Sequence, residues 1–156
     1  MKQKKQQILI YDTTLRDGAQ GAGVKFSAED QVQVVKALDL LGFHYIEGGQ
    51  PGSNPKAAEL FERVRDIKLE NAVMAAFGST RHPRKAVEDD PNIQALLDAR
   101  TSVVTIFAKS SRLHVREVLG VSLEENLRIV EESVRYLAAQ GRQVFLDAEH
   151  FFDGYF

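Results

Sequence analysis

Apolar positions along this chain switch repeatedly between short continuous runs and three- to four-residue spacing, which sets out a series of strand and helix units. Ile8-Leu9-Ile10-Tyr11 reads as a first buried strand, ending in the polar stretch Asp12 to Gln20. Ser27-Ala28-Glu29-Asp30 offers a hydroxyl to the amide three residues on, so a helix starts there. Val34, Val35, Leu38 and Leu41 give that helix one buried stripe, and Gly42 ends it in a left-handed conformation. Phe43 to Ile46 is the second strand, closing on Glu47-Gly48-Gly49. Asn54 before Pro55 caps the next helix, with Ala57, Leu60, Phe61, Val64 and Ile67 on its apolar face. Ala72 to Phe77 follows as strand three. Asp90-Pro91 repeats the cap ahead of Ile93, Leu96 and Leu97, and Val103 to Phe107 forms strand four. A short helical insert from His114 to Leu119 closes at Gly120. Ser122 then caps a long helix with Leu127, Val130, Val134 and Leu137 facing inward, before Gly141 and strand five at Val144 to Leu146.

Five strands alternating with four long helices mark successive βα units and a parallel α/β sheet, with no linker or low-complexity segment between them. Two architectures fit this pattern. One is a five-stranded flavodoxin-like doubly wound sheet; the other is the first half of a (β/α)₈ TIM barrel, which needs about 250 residues when closed. Periodicity leaves both open. A phospho-acceptor domain is disfavoured, because strand three ends in Phe77-Gly78-Ser79 with no carboxylate to phosphorylate.

The 156 residues, 44% hydrophobic and 27% charged, suffice for one domain with a real core. A net charge of −2 with interspersed signs gives no footprint for nucleic acid or an anionic membrane. Lys2, Lys4 and Lys5 are followed by no apolar stretch of signal or membrane-span length, so a cytoplasmic protein is expected. The absence of cysteine excludes disulfides, thiolate metal sites and a catalytic thiol.

Chemistry concentrates where the strands end. Asp12-Thr13-Thr14-Leu15-Arg16-Asp17-Gly18-Ala19-Gln20 crowds charged and amide side chains into the loop after strand one, the position where β/α folds place active sites. Glu47 ends an otherwise apolar strand and must find a partner there. It either pairs with Arg16, holding it in position, or caps the Gly48-Gly49 amides. Gly48, Gly49, Gly52, Ser53 and Asn54 could cradle a phosphate, although the loop lacks a G-x-G-x-x-G or G-K-[ST] pattern. Thr105 lies within strand four, where an inward hydroxyl meets a substrate or simply packs. Lys109 follows as a solvated cation or a partner for a substrate carboxylate. Glu149 and His150 close strand five and carry the best local acid/base potential. His44 and His82 read as surface residues.

The run D-T-T-L-R-D-G-A-Q resembles the signature of the acyl-CoA:2-oxoacid condensing enzymes and their lyase relatives, the DRE-TIM metallolyases, which include isopropylmalate, homocitrate and citramalate synthases. Tyr45 to Lys56, Ala76-Phe77-Gly78-Ser79-Thr80-Arg81 and Asp147-Ala148-Glu149-His150-Phe151-Phe152-Asp153-Gly154-Tyr155 look most like the citramalate synthase branch. The resemblance covers nearly the whole chain. It implies that residues 1–156 are the N-terminal half of a catalytic TIM barrel, a partial domain stopping just after strand five. The implied reaction joins acetyl-CoA, as co-substrate, to pyruvate and makes citramalate for isoleucine biosynthesis, in an enzyme that is a homodimer at full length. Isopropylmalate and homocitrate synthases are the alternatives, and a non-catalytic half-barrel is the reading if this is the whole natural chain.

The resemblance also assigns roles. Asp17 is the ligand of a divalent metal, Mg²⁺ or Mn²⁺, that polarises the 2-oxoacid. Arg16, with its planar fork, meets the ketone oxygen and stabilises negative charge there. Gln20 orients substrate or a ligand water, Asp12 is a supporting group, and Glu149 lines the site as the second catalytic residue. Glu47, Thr105 and His114 complete the substrate-binding set. His114 departs from the family's D-x-H context, since Ser111, Arg112 and Leu113 precede it. The family's H-x-H metal pair occurs nowhere in the chain, and the fragment alone is expected to be inactive.

Overall fold

A computed structural model describes residues 7–53 and 55–156. The expected cap at Asn54 and the basic residues Lys2, Lys4 and Lys5 lie outside the described residues. The elements run β1 (Tyr11–Asp12), α1 (Ala28–Leu40), β2 (Tyr45–Glu47), α2 (Pro55–Val64), β3 (Val73–Ser79), α3 (Pro91–Asp98), β4 (Val103–Lys109), α4 (Arg112–His114), α5 (Leu123–Ala139), β5 (Gln143–Glu149) and α6 (Phe151–Tyr155). A π-helical turn, Val115–Leu119, continues α4 and closes at Gly120.

All strand pairs are parallel, and the strands lie in the order β1-β2-β3-β4-β5. That order decides between the two architectures. A flavodoxin-like sheet reverses direction at its first strand, whereas a strictly sequential order built from right-handed crossovers puts every helix on one face and curves the other inward as a half-barrel. The core lies between the sheet's helical face and the helices, with Ile46, Met74, Ala76, Val104 and Ile106 meeting Val35, Leu60, Phe61, Ile93, Leu96 and Leu137. Register places the other set of strand residues on the concave face: Tyr11 with Tyr45, Glu47 with Ala75, Phe77 with Thr105 and Phe145, and Lys109 with Glu149.

Local signals account for most element ends. Ser27 Oγ accepts from Asp30 N at 3.1 Å while the Asp30 carboxylate accepts from Ser27 N at 2.8 Å, a complete capping box. Asp90 accepts from the amides of Asn92 and Ile93 with Pro91 at the first helical position. Gly42, at φ +82°, takes the left-handed turn after α1. Gly78 is needed for a different reason: a Cβ there would lie 2.7 Å from Asn92 Oδ1, so only glycine lets α3 approach β3 this closely.

Three expectations are corrected. Ile8, Leu9 and Ile10 are exposed, not buried, because β1 pairs only with β2 among the described residues; His44 accepts from Ile10 N at 3.1 Å and helps hold that edge. In α1 the buried line is Val32, Val35 and Asp39, with Leu41 exposed. In α5 it is Asn126, Ile129, Ser133 and Leu137, while Leu127 is 69% exposed. In both helices a polar residue with hydrogen-bonding work takes an inward position that apolar periodicity assigns elsewhere. Asn126 donates to Lys109 O at 3.0 Å, and Ser133 accepts from Arg81 N at 2.9 Å.

Asp39 ties the end of α1 to the start of β3. Its carboxylate accepts from the amides of Glu70 at 3.0 Å and of Asn71 and Ala72 at 2.8 Å each. Burial on its own would raise this carboxyl; the backbone hydrogen bonds from Glu70, Ala72 and Asn71 outweigh it and hold the pKa below the ordinary carboxylate value. The stabilisation is therefore fully present above about pH 4 and is lost as pH falls through the lower folded pKa. Asp39→Asn, which turns one oxygen into a donor facing an amide, is expected to cost about 1–3 kcal/mol at neutral pH. Urea titrations at a series of pH values should show the gap between wild type and variant closing on acidification.

Candidate active site

The loop after β1 is wound around one carbonyl. Thr13 O accepts from the amides of Arg16, Asp17 and Gly18 at 3.1, 2.8 and 3.2 Å, and the Asp12 carboxylate holds Thr14 through its amide at 3.0 Å and its hydroxyl at 2.9 Å. Leu15 is buried in the core, which turns the next side chain, Arg16, toward Glu47. Asp12 thus shapes the loop.

Glu47, at the C-terminal end of β2, is 1% exposed, and both of its oxygens are engaged. Oε1 accepts from Arg16 Nε at 2.5 Å, and Oε2 accepts from the Tyr11 hydroxyl at 2.6 Å. Tyr11 and Thr105 hydroxyls lie 2.6 Å apart, so Thr105 completes the chain from β4. Tyr11 also stacks on Tyr45 and meets Phe145 edge-on, at ring separations of 5.9 and 5.6 Å. Burial, then its bond to the Glu47 carboxylate, push the Tyr11 phenol far above its ordinary pKa, so it stays a neutral donor. Of the two readings of Glu47, the pairing with Arg16 is the one observed; the Gly48 amide is spent on Ala75 O at 3.0 Å.

The guanidinium of Arg16 lies 4.1 Å from the centre of the Phe77 ring, and Phe77 stacks on Phe107 at 5.5 Å. Lys109 Nζ lies 5.5 Å from the Phe107 ring and forms an ion pair with Glu149 across the β4–β5 register. Two cations are thus carried on one aromatic plank, each with a carboxylate partner. Where β4 and β5 end, His114 and His150 meet edge-to-face at 4.4 Å, and His150 contacts Asp153 at 3.1 Å. The buried Nδ1 of His114 has no hydrogen-bond partner among the described residues.

The structure therefore gathers Arg16, Glu47 and Thr105 into one chain of contacts, and Glu149 with Lys109 beside it. Asp17 contacts Arg16 Nη1 at 3.3 Å but has a side chain 64% exposed. Gln20 is exposed at the end of a short 3₁₀ turn, Gly18–Gln20, without a side-chain hydrogen bond among the described residues. Tyr11, Phe77 and Phe107 escaped the sequence reading. Two-residue alternation from Thr105 marks Phe107, but Tyr11 and Phe77 need the register between strands.

A family model described as HMGL-like matches residues 7–154. An (R)-citramalate synthase of Aquifex aeolicus is 51% identical over 150 residues, covering 96% of this chain and 28% of the relative. A homocitrate synthase of Saccharolobus solfataricus is 34% identical over 140 residues, covering 90% of this chain and 29% of the relative. The chain thus spans under a third of the length of these curated relatives. Among solved structures, an HMG-CoA lyase of Bacillus subtilis superposes with a TM-score of 0.68 at 18% identity, covering 90% of this chain and 45% of that one, a likeness of fold.

Removing the charge of Glu47 tests how far the site depends on it. Glu47→Gln is expected to lower stability by about 1.5–3 kcal/mol, the range for hydrogen bonds to a charged group. The midpoint of guanidinium unfolding measures it; a loss under about 0.5 kcal/mol, the range of an ordinary surface substitution, would mean that Arg16 and Tyr11 are held by other contacts.

Proposed function

The chain belongs to the HMGL-like family, and from that premise we propose that it forms the N-terminal part of the catalytic barrel of an acyl-CoA:2-oxoacid condensing enzyme, a citramalate synthase that joins acetyl-CoA to pyruvate. The observation that carries the reading is the clamped Arg16: Nε is bound to buried Glu47, the ring of Phe77 lies under the guanidinium, and Nη2 has no partner among the described residues. A fixed cation with a free donor at the C-terminal edge of a parallel sheet suits a ketone oxygen that gains negative charge as a carbon nucleophile adds to it. In the overall reaction the acetyl methyl loses a proton, its carbon bonds to the pyruvate ketone carbon, and water cleaves the thioester to release CoA.

Glu149 faces the same concave surface, and its pairing with Lys109 fixes the side chain there while leaving it 34% exposed to an incoming substrate. We assign it the second catalytic role, with Gln20 and His114 as further substrate-side groups, while the buried Thr105 hydroxyl serves the Tyr11 phenol instead of a substrate. Asp17 offers one carboxylate to a divalent cation, which takes six or so oxygen ligands. Among the described residues no three metal-ligating side chains come together, so these residues do not by themselves make a metal site. The reading places the enzyme on the isoleucine route, in the cytoplasm and as a homodimer at full length. Among the described residues no helix is long and apolar enough to cross a membrane.

The test is CoA release by the natural polypeptide that carries this span, with a panel of 2-oxoacids. Pyruvate is expected to be turned over in preference to 2-oxoisovalerate and 2-oxoglutarate, with activity lost in EDTA and restored by Mg²⁺ or Mn²⁺. Preference for either longer acid would move the assignment to an isopropylmalate or homocitrate synthase. Arg16→Lys, which keeps the charge but not the fork, should lower kcat by about 10²–10³-fold, the cost of one lost oxyanion donor.

A further inference from the structure

We propose that Tyr11 is a positioning residue for the reaction, acting through Glu47 to fix the Arg16 guanidinium over Phe77. The inference rests on the functional reading above. Tyr11 stands on the concave face of β1, its hydroxyl 2.6 Å from Glu47 Oε2 and 2.6 Å from Thr105 Oγ1. A phenol has one proton to give. The carboxylate can only accept, so the Tyr11 proton goes to Glu47 and the Thr105 hydroxyl donates to Tyr11. The chain therefore has a single direction: Thr105 to Tyr11 to Glu47, with Arg16 Nε closing the other oxygen at 2.5 Å.

That direction fixes the rotation of the Glu47 carboxylate. A carboxylate held at one oxygen only can pivot about its terminal torsion, which is broad and soft, and Arg16 would follow it. Held at both oxygens, it gives Arg16 one position. The phenol is itself immobilised by stacking on Tyr45 at 5.9 Å and by the edge of Phe145 at 5.6 Å, so the chain is anchored in strands β1, β2, β4 and β5. Phe77 from β3 supplies the floor under the guanidinium. Tyr11 touches no reacting atom; its effect passes entirely through Glu47.

The experiment uses the natural polypeptide and the variant Tyr11→Phe, which removes one oxygen and keeps the ring. Its crystal structure is expected to show the Glu47 carboxylate rotated and the Arg16 guanidinium displaced from the Phe77 ring; an unmoved Arg16 would overturn the proposal whether or not the protein turns over. With acetyl-CoA and pyruvate, kcat is expected to fall about 10- to 100-fold, the scale of a misplacement near 1 Å, while KM for acetyl-CoA stays within twofold. In an Arg16→Lys background the same change should cost less than twofold, because the group it positions is already gone. An equal loss in both backgrounds would show that Tyr11 acts otherwise. Thr105→Val, which releases the phenol without touching β1, should reproduce the pattern at smaller amplitude. Wild type that releases no CoA with any 2-oxoacid would sink the functional reading, and the crystallographic arm would still decide the position of Arg16.

Discussion

A carboxylate that water cannot reach has to be answered inside the protein, and Glu47 is that carboxylate here. Its two oxygens are met by Arg16 and Tyr11, which belong to the loop and strand that begin the sheet, and through Tyr11 it reaches Thr105 on β4. The concave face is organised by this requirement. Strand β1 is two residues long and has apolar neighbours on its N-terminal side that remain exposed, so backbone pairing alone holds it weakly. The polar chain from Tyr11 to Thr105 spans the sheet and keeps β1, and with it the Arg16 loop, in register.

The aromatic side chains complete the arrangement. Phe77 and Phe107 stack from neighbouring strands, and each carries a cation above it. An arginine or lysine over an aromatic face keeps its charge partly shielded from water and loses mobility. The two cations thus sit over neighbouring stacked rings, with the carboxylates Glu47 and Glu149 setting their orientation.

Much of this is legible in the order of residues. Caps at Ser27, Asp90 and Ser122 announce their helices by chemistry local to three or four residues, and the helices begin where those caps place them. The role of Glu47 is legible because a charged residue ending an apolar strand is costly without a partner. That of Tyr11 is not, because it closes an apolar run and only strand register shows that it points to the concave face. Asp39 and Asn126 escape for a related reason: their partners lie in distant segments, on the backbone of residues 70–72 and on Lys109 O. Lys109 and Glu149 meet only once β4 and β5 are aligned. Architecture stays open in the sequence because periodicity is blind to strand order.

Strand order also bears on how the chain comes to be folded. Each strand from β2 to β5 pairs with the one synthesised just before it. Loop closure is therefore limited at each step to one βα unit, which keeps the entropy of ordering low and contacts local. The strand order thus lets pairing follow translation, β2 onto β1 and β3 onto β2. The Glu47 chain is the exception: its last member, Thr105, is made after three units are in place, so the arginine loop acquires its final orientation only when the fourth strand arrives.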